Sequence, residues 1–289
     1  MSGHIHRCLA HFIYLLVITC VYNAYAWRYD PMYSARNRYV FGGRDPTGFR
    51  PQAFFKEGYV DNLVKQRGPD LPFTLLRTYN NTQQTNNIVA YSIYGTRQHY
   101  YDGLIHNILA IRDYMPGWTA RIYMHDQVPV VYRDQLVDLG ATVVTVRDPI
   151  VRAGNSAGMF WRFDALTMPG TNVAIYDAEN RMDHTQMQEI LDFFKSPEAP
   201  YMYADRTWPW PRQHVRAGQV MRKKAFNVPF DTAFLQNWPL RGPFGADEYF
   251  TTVCIGEQLH RDLLQVPYSM DTHFARTRVP SNLAERCHH

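Results

Sequence analysis

The middle of this chain alternates short, β-rich apolar runs with helical stripes. The strand-like runs are IVAYSIYG (88–95), TARIYMHD (119–126), ATVVTVRD (141–148) and NVAIYD (172–177). Between the first two, Leu104, Ile108 and Ile111 recur at the spacing of one helix face. Strands that alternate with helices predict an α/β fold in which helices flank a largely parallel sheet.

The first 26 residues have the three parts of a secretory signal. Arg7 precedes an uncharged, largely apolar run that ends in Ala24-Tyr25-Ala26, a small-x-small cleavage pattern. Because the strongly apolar part is shorter than the roughly 20 residues of a membrane span, we expect cleavage after Ala26. An uncleaved signal anchor is the alternative. Either outcome places the rest of the chain in the secretory lumen or outside the cell, with no stable membrane span if the signal is cleaved.

Two further features suit a secretory protein. Cys254 and Cys287 are the cysteines that remain beyond the signal, and in an oxidising compartment an even count suggests one disulfide. The tripeptide that begins at Asn80 is an N-glycosylation sequon within a polar stretch. Both features are expectations that follow from the predicted compartment.

Four segments are expected along the 289 residues: the signal (1–26), an irregular N-terminal arm (27–87), the α/β domain (88–280) and a tail (281–289). The chain is 46% hydrophobic, which is ample for a packed core and too apolar for disorder. Its net charge of +4, with no basic block, argues against a nucleic-acid partner. The absence of GxGxxG, P-loop, GxSxG and HExxH motifs argues against dinucleotide enzymes, P-loop kinases, α/β-hydrolases and common zinc proteases.

The fourth strand pattern ends in acid, with Asp177 and Glu179 directly after VAIY. Ligands of open parallel sheets bind outside the carboxyl ends of the strands. Side chains two positions apart on extended backbone share one face, so both carboxylates could converge on one point. Their hard oxygens suit Mg²⁺ or Mn²⁺. The alternative is structural, with Asp177 capping the turn and Glu179 solvated.

The segment GMFWRFDALTMPGTNVAIYDAEN resembles the GT-A glycosyltransferase fold, in which an aromatic-aromatic-Arg helix and a loop precede a strand that ends in Asp-x-Asp. Its most specific piece is FWRF, residues 160–163. Looser matches are Tyr94-Gly95, Gly103, Asn107, the GADEYF sequence and a tail of the form D-x-H, P, R. The resemblance covers roughly residues 88–280 and implies a GT-A-like (Rossmann-like) domain.

The resemblance implies a metal-dependent enzyme that transfers a sugar from a nucleotide-sugar donor to a glycan or protein acceptor. Its metal, Mn²⁺ or Mg²⁺, would lie on Asp177, Glu179 and His273, and Asp247 or Glu248 would act as the base for the acceptor hydroxyl. The implied donor-binding residues are Ser92, Tyr94, Gly95, Arg162, Trp208, His214 and Gly218.

Each of these roles has a structural alternative. Arg162 could form a salt bridge with a nearby acid, Asp247 could cap a helix, and His273 could be a surface or core residue. The chain also departs from the family's pattern, because Glu179 stands where the family has Asp. A second function class therefore stays open, a protein that retains the fold, has lost turnover and binds glycans or proteins. A metal-dependent phosphoesterase is a third option.

Overall fold

The structure is a computed structural model that describes residues 71–80, 85–151, 157–195, 201–205, 215–228, 230–238, 240–242 and 246–256. All of them belong to one compact unit, residues 50–289. The predicted signal, Trp208, His214, His273 and Cys287 lie outside these ranges. No helix within the described ranges combines the length and the apolarity needed to cross a bilayer.

Within the described ranges, seven strands form one sheet. They are β1 (Thr74–Tyr79), β2 (Asn87–Ile93), β3 (Thr119–His125), β4 (Thr142–Arg147), β5 (Asn172–Tyr176), β6 (Tyr201–Asp205) and β7 (Val215–Arg222). Their order across the sheet is β1-β4-β3-β2-β5-β7-β6. Strands β2 to β6 share one direction, whereas β1 and β7 run antiparallel to their neighbours. The predicted α/β fold with a largely parallel sheet is therefore confirmed.

Helices lie in the connections from β2 to β6, and further helical segments follow β7. They are α1 (Gln98–Tyr114), α2 (Val130–Asp138), a 3-10 helix (Ala157–Thr167), α3 (His184–Lys195), α4 (Thr232–Gln236) and α5 (Ala246–Phe250), which continues into a π-helical segment (Thr251–Gly256). The FWRF segment, predicted as an ordinary helix, belongs to the 11-residue 3-10 helix. Such helices rarely exceed three or four residues. Since nearly all of its side chains are buried, tertiary packing holds this one in place.

Three strands, β1, β6 and β7, were not predicted from the sequence. β1 lies at the edge of the sheet, is mostly exposed and pairs with β4, so it needs little apolar content. The sheet thus begins earlier along the chain than residue 88, inside the segment expected to be an irregular arm. Both β6 and β7 follow Pro200, and the glycine within β7 weakens its strand signal.

The sheet separates two packed layers. The three apolar residues of the α1 stripe share a hydrophobic core with Val89 and Tyr91 of β2. Side chains alternate across a strand, so Ser92 lies on the other face. There its Oγ accepts a hydrogen bond from the backbone N–H of Arg162, at 3.0 Å. The 3-10 helix consequently lies directly beneath the end of β2.

Aromatic residues bind the 3-10 helix to the C-terminal helices. The cluster consists of Phe160, Phe163, Phe230, Phe234, Trp238 and Phe250. Phe250 of α5 is central, with ring centroids 5.0 Å from both Phe160 and Trp238. Because α5 also carries Asp247, this packing brings that acid to the 3-10 helix.

A buried ion pair joins segments that are far apart in the sequence. Arg241 Nη1 donates to Asp148 Oδ2 at 2.5 Å, and both side chains are inaccessible to solvent. Trp161 Nε1 donates to the same oxygen at 2.9 Å, and Arg241 Nη2 donates to the carbonyl of Leu71. The pair therefore fastens the segment before β1 and the 3-10 helix to the loop after β4.

We predict that Arg241→Gln lowers the free energy of unfolding by about 3–5 kcal/mol, because it leaves the Asp148 charge buried and without its cation. Urea denaturation of the wild type and the variant measures the difference. Arg112→Gln is the control, because Arg112 forms an exposed pair with Asp113 and its loss should change stability very little. Equal effects of the two substitutions would contradict the prediction.

Candidate active site

The order of the strands reverses at β2. From this strand the chain continues through β3 and β4 on one side, and through β5 and β7 on the other. Open α/β sheets bind ligands at such a reversal, in the crevice outside the carboxyl ends of the strands. Tyr94 follows the end of β2, and Asp177 follows the end of β5. Both predicted site residues therefore lie at the position where this topology places a ligand.

Arg162 of the 3-10 helix is the centre of the candidate site. Its side chain is 3% exposed. Its Nη1 donates to Asp177 Oδ1 at 2.6 Å and to the carbonyl of Tyr176 at 3.1 Å, while its Nη2 lies 3.4 Å from Asp247 Oδ2. The hydrogen bond from its backbone N–H to the Ser92 hydroxyl fixes the position of the Arg162 backbone. The guanidinium thus joins the end of β5 to α5, and the backbone of the same residue is joined to β2.

The surrounding carboxylates stabilise the charged form of the Arg162 guanidinium. Burial by itself would lower the pKa of the guanidinium, but Asp177, Asp247 and Glu179 together outweigh this effect and raise it. The side chain therefore stays charged in the folded protein. A charge this deeply buried needs paired and hydrogen-bonded neighbours, so removal of either close acid should be costly.

Helix α1 holds the acidic loop at the end of β5. The fully buried Asn107 donates from Nδ2 to the carbonyl of Asn180 at 2.8 Å, and its Oδ1 accepts from the backbone N–H of Met182 at 2.8 Å. One turn earlier, Gly103 lies against the carbonyl of Ala178. A Cβ at position 103 would stand 2.1 Å from that oxygen. These two residues, which the sequence analysis quoted without a role, fix the path of the loop.

Two more glycines let side chains of the site approach backbone closely. A Cβ at Gly218 of β7 would stand 2.1 Å from Asp177 Oδ2, and one at Gly158 would stand 2.1 Å from the ring of Tyr94. The Tyr94 ring also meets Trp161 edge-on, with centroids 6.0 Å apart. Gly218 was expected to bind the donor, and here it makes room for Asp177.

The two acids of the loop lie in different surroundings. The Asp177 side chain is 15% exposed and packed against β7, whereas Glu179 is exposed. Burial, a neighbouring tyrosine and the Asp247 carboxylate raise the pKa of Tyr94, with a smaller contribution from Glu179. Burial and Glu179 also raise the pKa of Tyr100. Both phenols therefore stay protonated and can donate hydrogen bonds.

The structure brings together six residues that the sequence analysis proposed for the site. They are Ser92, Tyr94, Arg162, Asp177, Gly218 and Asp247. Gly95 is exposed, adopts a φ of 90°, and its carbonyl accepts from the hydroxyl of Tyr101 at 2.9 Å. Glu248 lies in α5, next to Asp247. Asn180, which donates to Asp177 Oδ2 at 3.2 Å, and Tyr100 were missed, since no local pattern marks them.

A metal centre on Asp177 does not fit the arrangement of the described residues. Its Oδ1 accepts from Arg162 and its Oδ2 from Asn180, so both oxygens already have donors. Glu179 is exposed rather than paired with Asp177 in a shared pocket. In the part of the chain that the structure describes, no three His, Cys, Asp or Glu side chains lie close enough to hold a metal ion. His273, the third predicted ligand, is outside that part.

Comparisons with known proteins give a coarse likeness. A scan against protein-family models and a search of curated proteins found no match. Among solved structures, the chain is similar to the mannosyltransferase PcManGT from Pyrobaculum calidifontis in complex with GDP-Man and Mn²⁺, at 13% identity and a TM-score of 0.34. The match covers 68% of this chain and 63% of the mannosyltransferase. This chain therefore spans less than two thirds of the mannosyltransferase's length. A likeness at this level carries no argument about activity.

We predict that Gly103→Ala destabilises the protein by about 1–3 kcal/mol, because the added methyl group collides with the carbonyl of Ala178 and displaces the acidic loop. The sign of the stability change is informative, because alanine in a helix interior is normally more stable than glycine by about 1 kcal/mol. Thermal and urea unfolding measure the change.

Gly242→Ala is the matched control for this prediction. A Cβ at that position meets no atom within 4 Å, so stability should change little. A more stable Gly103→Ala variant would show that the loop does not depend on this contact.

Proposed function

We propose that the chain binds a nucleotide-sugar in the crevice between β2 and β5, and transfers the sugar to a hydroxyl of a glycan or protein acceptor. The observation that supports this function is the meeting of residues from four separate stretches of sequence around one arginine, Arg162. Ser92, Arg162, Asp177 and Asp247 were each named from the glycosyltransferase resemblance, and each contacts the others through Arg162.

In this proposal the donor lies along the end of β2. Ser92 and Tyr94 border the base and ribose, and the protonated phenol of Tyr94 donates to the donor. Asp247 or Glu248 takes the proton of the acceptor hydroxyl while its oxygen bonds to the anomeric carbon of the sugar. The bond from that carbon to the diphosphate breaks, and the nucleoside diphosphate leaves with the electron pair.

The remaining expected donor contacts and the metal are also proposals. Gly95, Trp208 and His214 would complete the donor site. A bound Mn²⁺ or Mg²⁺ would offset the charge that develops on the leaving diphosphate. The predicted ligands are Asp177, Glu179 and His273, but the present contacts of Asp177 do not suit that role.

We place this activity in the secretory pathway, secreted or in the lumen of the Golgi or endoplasmic reticulum. The proposal is supported by the signal-like first 26 residues and by the sequon at Asn80. Cys254 is buried at 1% exposure, a position suited to the proposed disulfide with Cys287. Oxidising conditions would allow that bond to form.

One observation favours a second function, that of a protein that kept the fold and binds glycans without turnover. Arg162 and Asp177 neutralise each other within the site, so neither group is free to act on a donor in this arrangement. The same binding experiment separates the two functions, because only the first requires recognition of a nucleotide.

The proposed function predicts that UDP or GDP, in the presence of Mn²⁺, raises the melting temperature of the secreted chain. A ligand at 100 times its Kd stabilises the folded state by about 2.7 kcal/mol, which is several degrees for a domain of this size. Release of nucleoside diphosphate from UDP- and GDP-sugars then tests turnover. No response to either nucleotide, with or without metal, together with binding to a glycan array, would exclude the transferase and support the second function.

We also predict that Tyr94→Phe weakens nucleotide binding without lowering the melting temperature. The substitution keeps the ring that packs against Gly158 and Trp161 and removes the hydroxyl proposed to contact the donor. Tyr114→Phe on the exposed side of α1 is the matched control and should leave nucleotide affinity unchanged. Unchanged affinity of the Tyr94 variant would remove this residue from the donor site.

A further inference from the structure

We propose that a cleft between α2 and the edge strand β1 binds a small organic acid, with its carboxylate on two arginines and an apolar body against an aliphatic wall. The cleft lies on the β1-β4-β3 side of the sheet, whereas the proposed donor crevice lies at the ends of β2 and β5. Its volume is about 190 Å³. Drug-sized ligands fill pockets of about 300 Å³ or more, so this cleft has room for a single ring rather than for a nucleotide-sugar.

A β-bulge in β1 shapes one wall of the cleft. Leu75 and Arg77 pair with consecutive residues of β4, so Leu76 between them is an extra residue of the strand. Consecutive side chains of a regular strand point to opposite faces, yet Leu76 and Arg77 both line the cleft. Bulges re-aim side chains in this way and are frequent next to active sites. The bulge therefore brings an aliphatic and a cationic side chain to the same cavity.

The polar wall carries two guanidinium groups on one aromatic ring. The Cζ atom of Arg77 lies 5.0 Å from the ring centroid of Tyr79, and that of Arg133 lies 4.2 Å from it. Both distances are within the range of a cation–π contact. A guanidinium held against an aromatic ring keeps the fork of N–H donors that matches a carboxylate. All three side chains line the cleft, so its polar wall is suited to an oxyanion.

The charges around the cleft leave one of these cations without a counter-ion. Arg147 Nε donates to Asp126 Oδ2 at 2.8 Å, and Arg133 Nη2 lies 2.7 Å from Asp134 Oδ1. Asp126, the acid that lines the cleft, is therefore already paired. In the part of the chain that the structure describes, Arg77 forms no ion pair. An anion in the cleft would supply the charge that Arg77 lacks.

The start of α2 favours the same sign of charge. Val130, the first residue of the helix, lines the cleft, and the first turn contains Arg133 but no acid. Helix N-termini attract negative charge, because their first backbone N–H groups have no partner within the helix. This end of α2 adds to a site that the two guanidinium groups define.

The rest of the lining is mainly aliphatic and indicates what carries the anion. It includes Leu76, Met124, Val128 and Val130. Leu76 is 42% exposed and Val130 is 62% exposed, so a ligand can still cover apolar surface on both. Removal of such surface from water is favourable in proportion to its area. A bare inorganic anion would leave this wall uncovered, whereas an acid with an aromatic or aliphatic body would cover it.

Calorimetric titration of the full chain with benzoate tests the proposal. Benzoate combines one ring with one carboxylate, and a Kd on the order of 1 mM is expected for a ligand with so few atoms. Three comparison compounds should each bind about tenfold more weakly: benzamide lacks the charge, inorganic phosphate lacks the body, and glucuronate has a polar body. Absence of saturable benzoate binding, or equal affinity for any of the three, would overturn the proposal.

Substitutions then locate the site. Arg77→Gln should weaken benzoate binding by about tenfold or more, because it removes the cation that lacks a counter-ion. Since Arg77 is exposed, its melting temperature should change by no more than about 1 or 2 °C. Leu76→Ala should weaken binding severalfold through lost apolar contact. Arg112→Gln on α1 is the matched control and should keep the wild-type affinity. Unchanged binding in Arg77→Gln, or an equal loss in Arg112→Gln, would contradict the site.

Competition separates this cleft from the donor crevice. Benzoate should bind equally well with and without saturating UDP or GDP, and Tyr94→Phe should bind it as the wild type does. Displacement of benzoate by a nucleotide would place it in the crevice and overturn the separate site. The proposal does not rest on the proposed function. A chain that binds benzoate through Arg77 but binds no nucleotide would retain this site and lose the transferase.

Discussion

The buried guanidinium of Arg162 is the interaction on which the candidate site depends. The guanidinium forms a short ion pair with Asp177 at the end of β5 and a longer one with Asp247 in α5, while the backbone N–H of Arg162 donates to Ser92 at the end of β2. A charge in the interior is tolerated only when such partners surround it. The site is therefore a unit rather than a collection of residues, since the geometry of each acid depends on the guanidinium that joins them.

Close approaches at glycine positions make this unit possible. At Gly103 the acidic loop lies close to α1, and at Gly218 the Asp177 carboxylate lies close to β7. At Gly158 the Tyr94 ring lies close to the 3-10 helix. None of these glycines has the left-handed backbone that usually explains the residue. These glycines are required because a Cβ atom would collide with the neighbouring group. The aromatic cluster around Phe250 packs the 3-10 helix against α5.

The sequence predicted the central layer well because buried strands and amphipathic helices carry a period that can be read locally. It missed β1, whose position at the edge requires little apolar content, and β7, where Gly218 interrupts the pattern. It also predicted an ordinary helix for the FWRF segment, where tertiary packing imposes a 3-10 helix. In the site, the resemblance named Arg162, Asp177 and Asp247, but it assigned the arginine to a ligand, whereas its contacts in the structure are with the two acids.

Residue order and periodicity are enough to predict that an acidic loop ends a buried strand and that this strand belongs to a largely parallel sheet. From the sequence, a shared metal site on Asp177 and Glu179 and a turn cap at Asp177 with a solvated Glu179 both stayed open. The fold decides between them, because Asp177 faces Arg162 and Glu179 is exposed. Asn180 is a local partner of Asp177, but Arg162 lies 15 residues before it in the 3-10 helix and Gly218 lies in β7, and only folding brings these elements to one carboxylate.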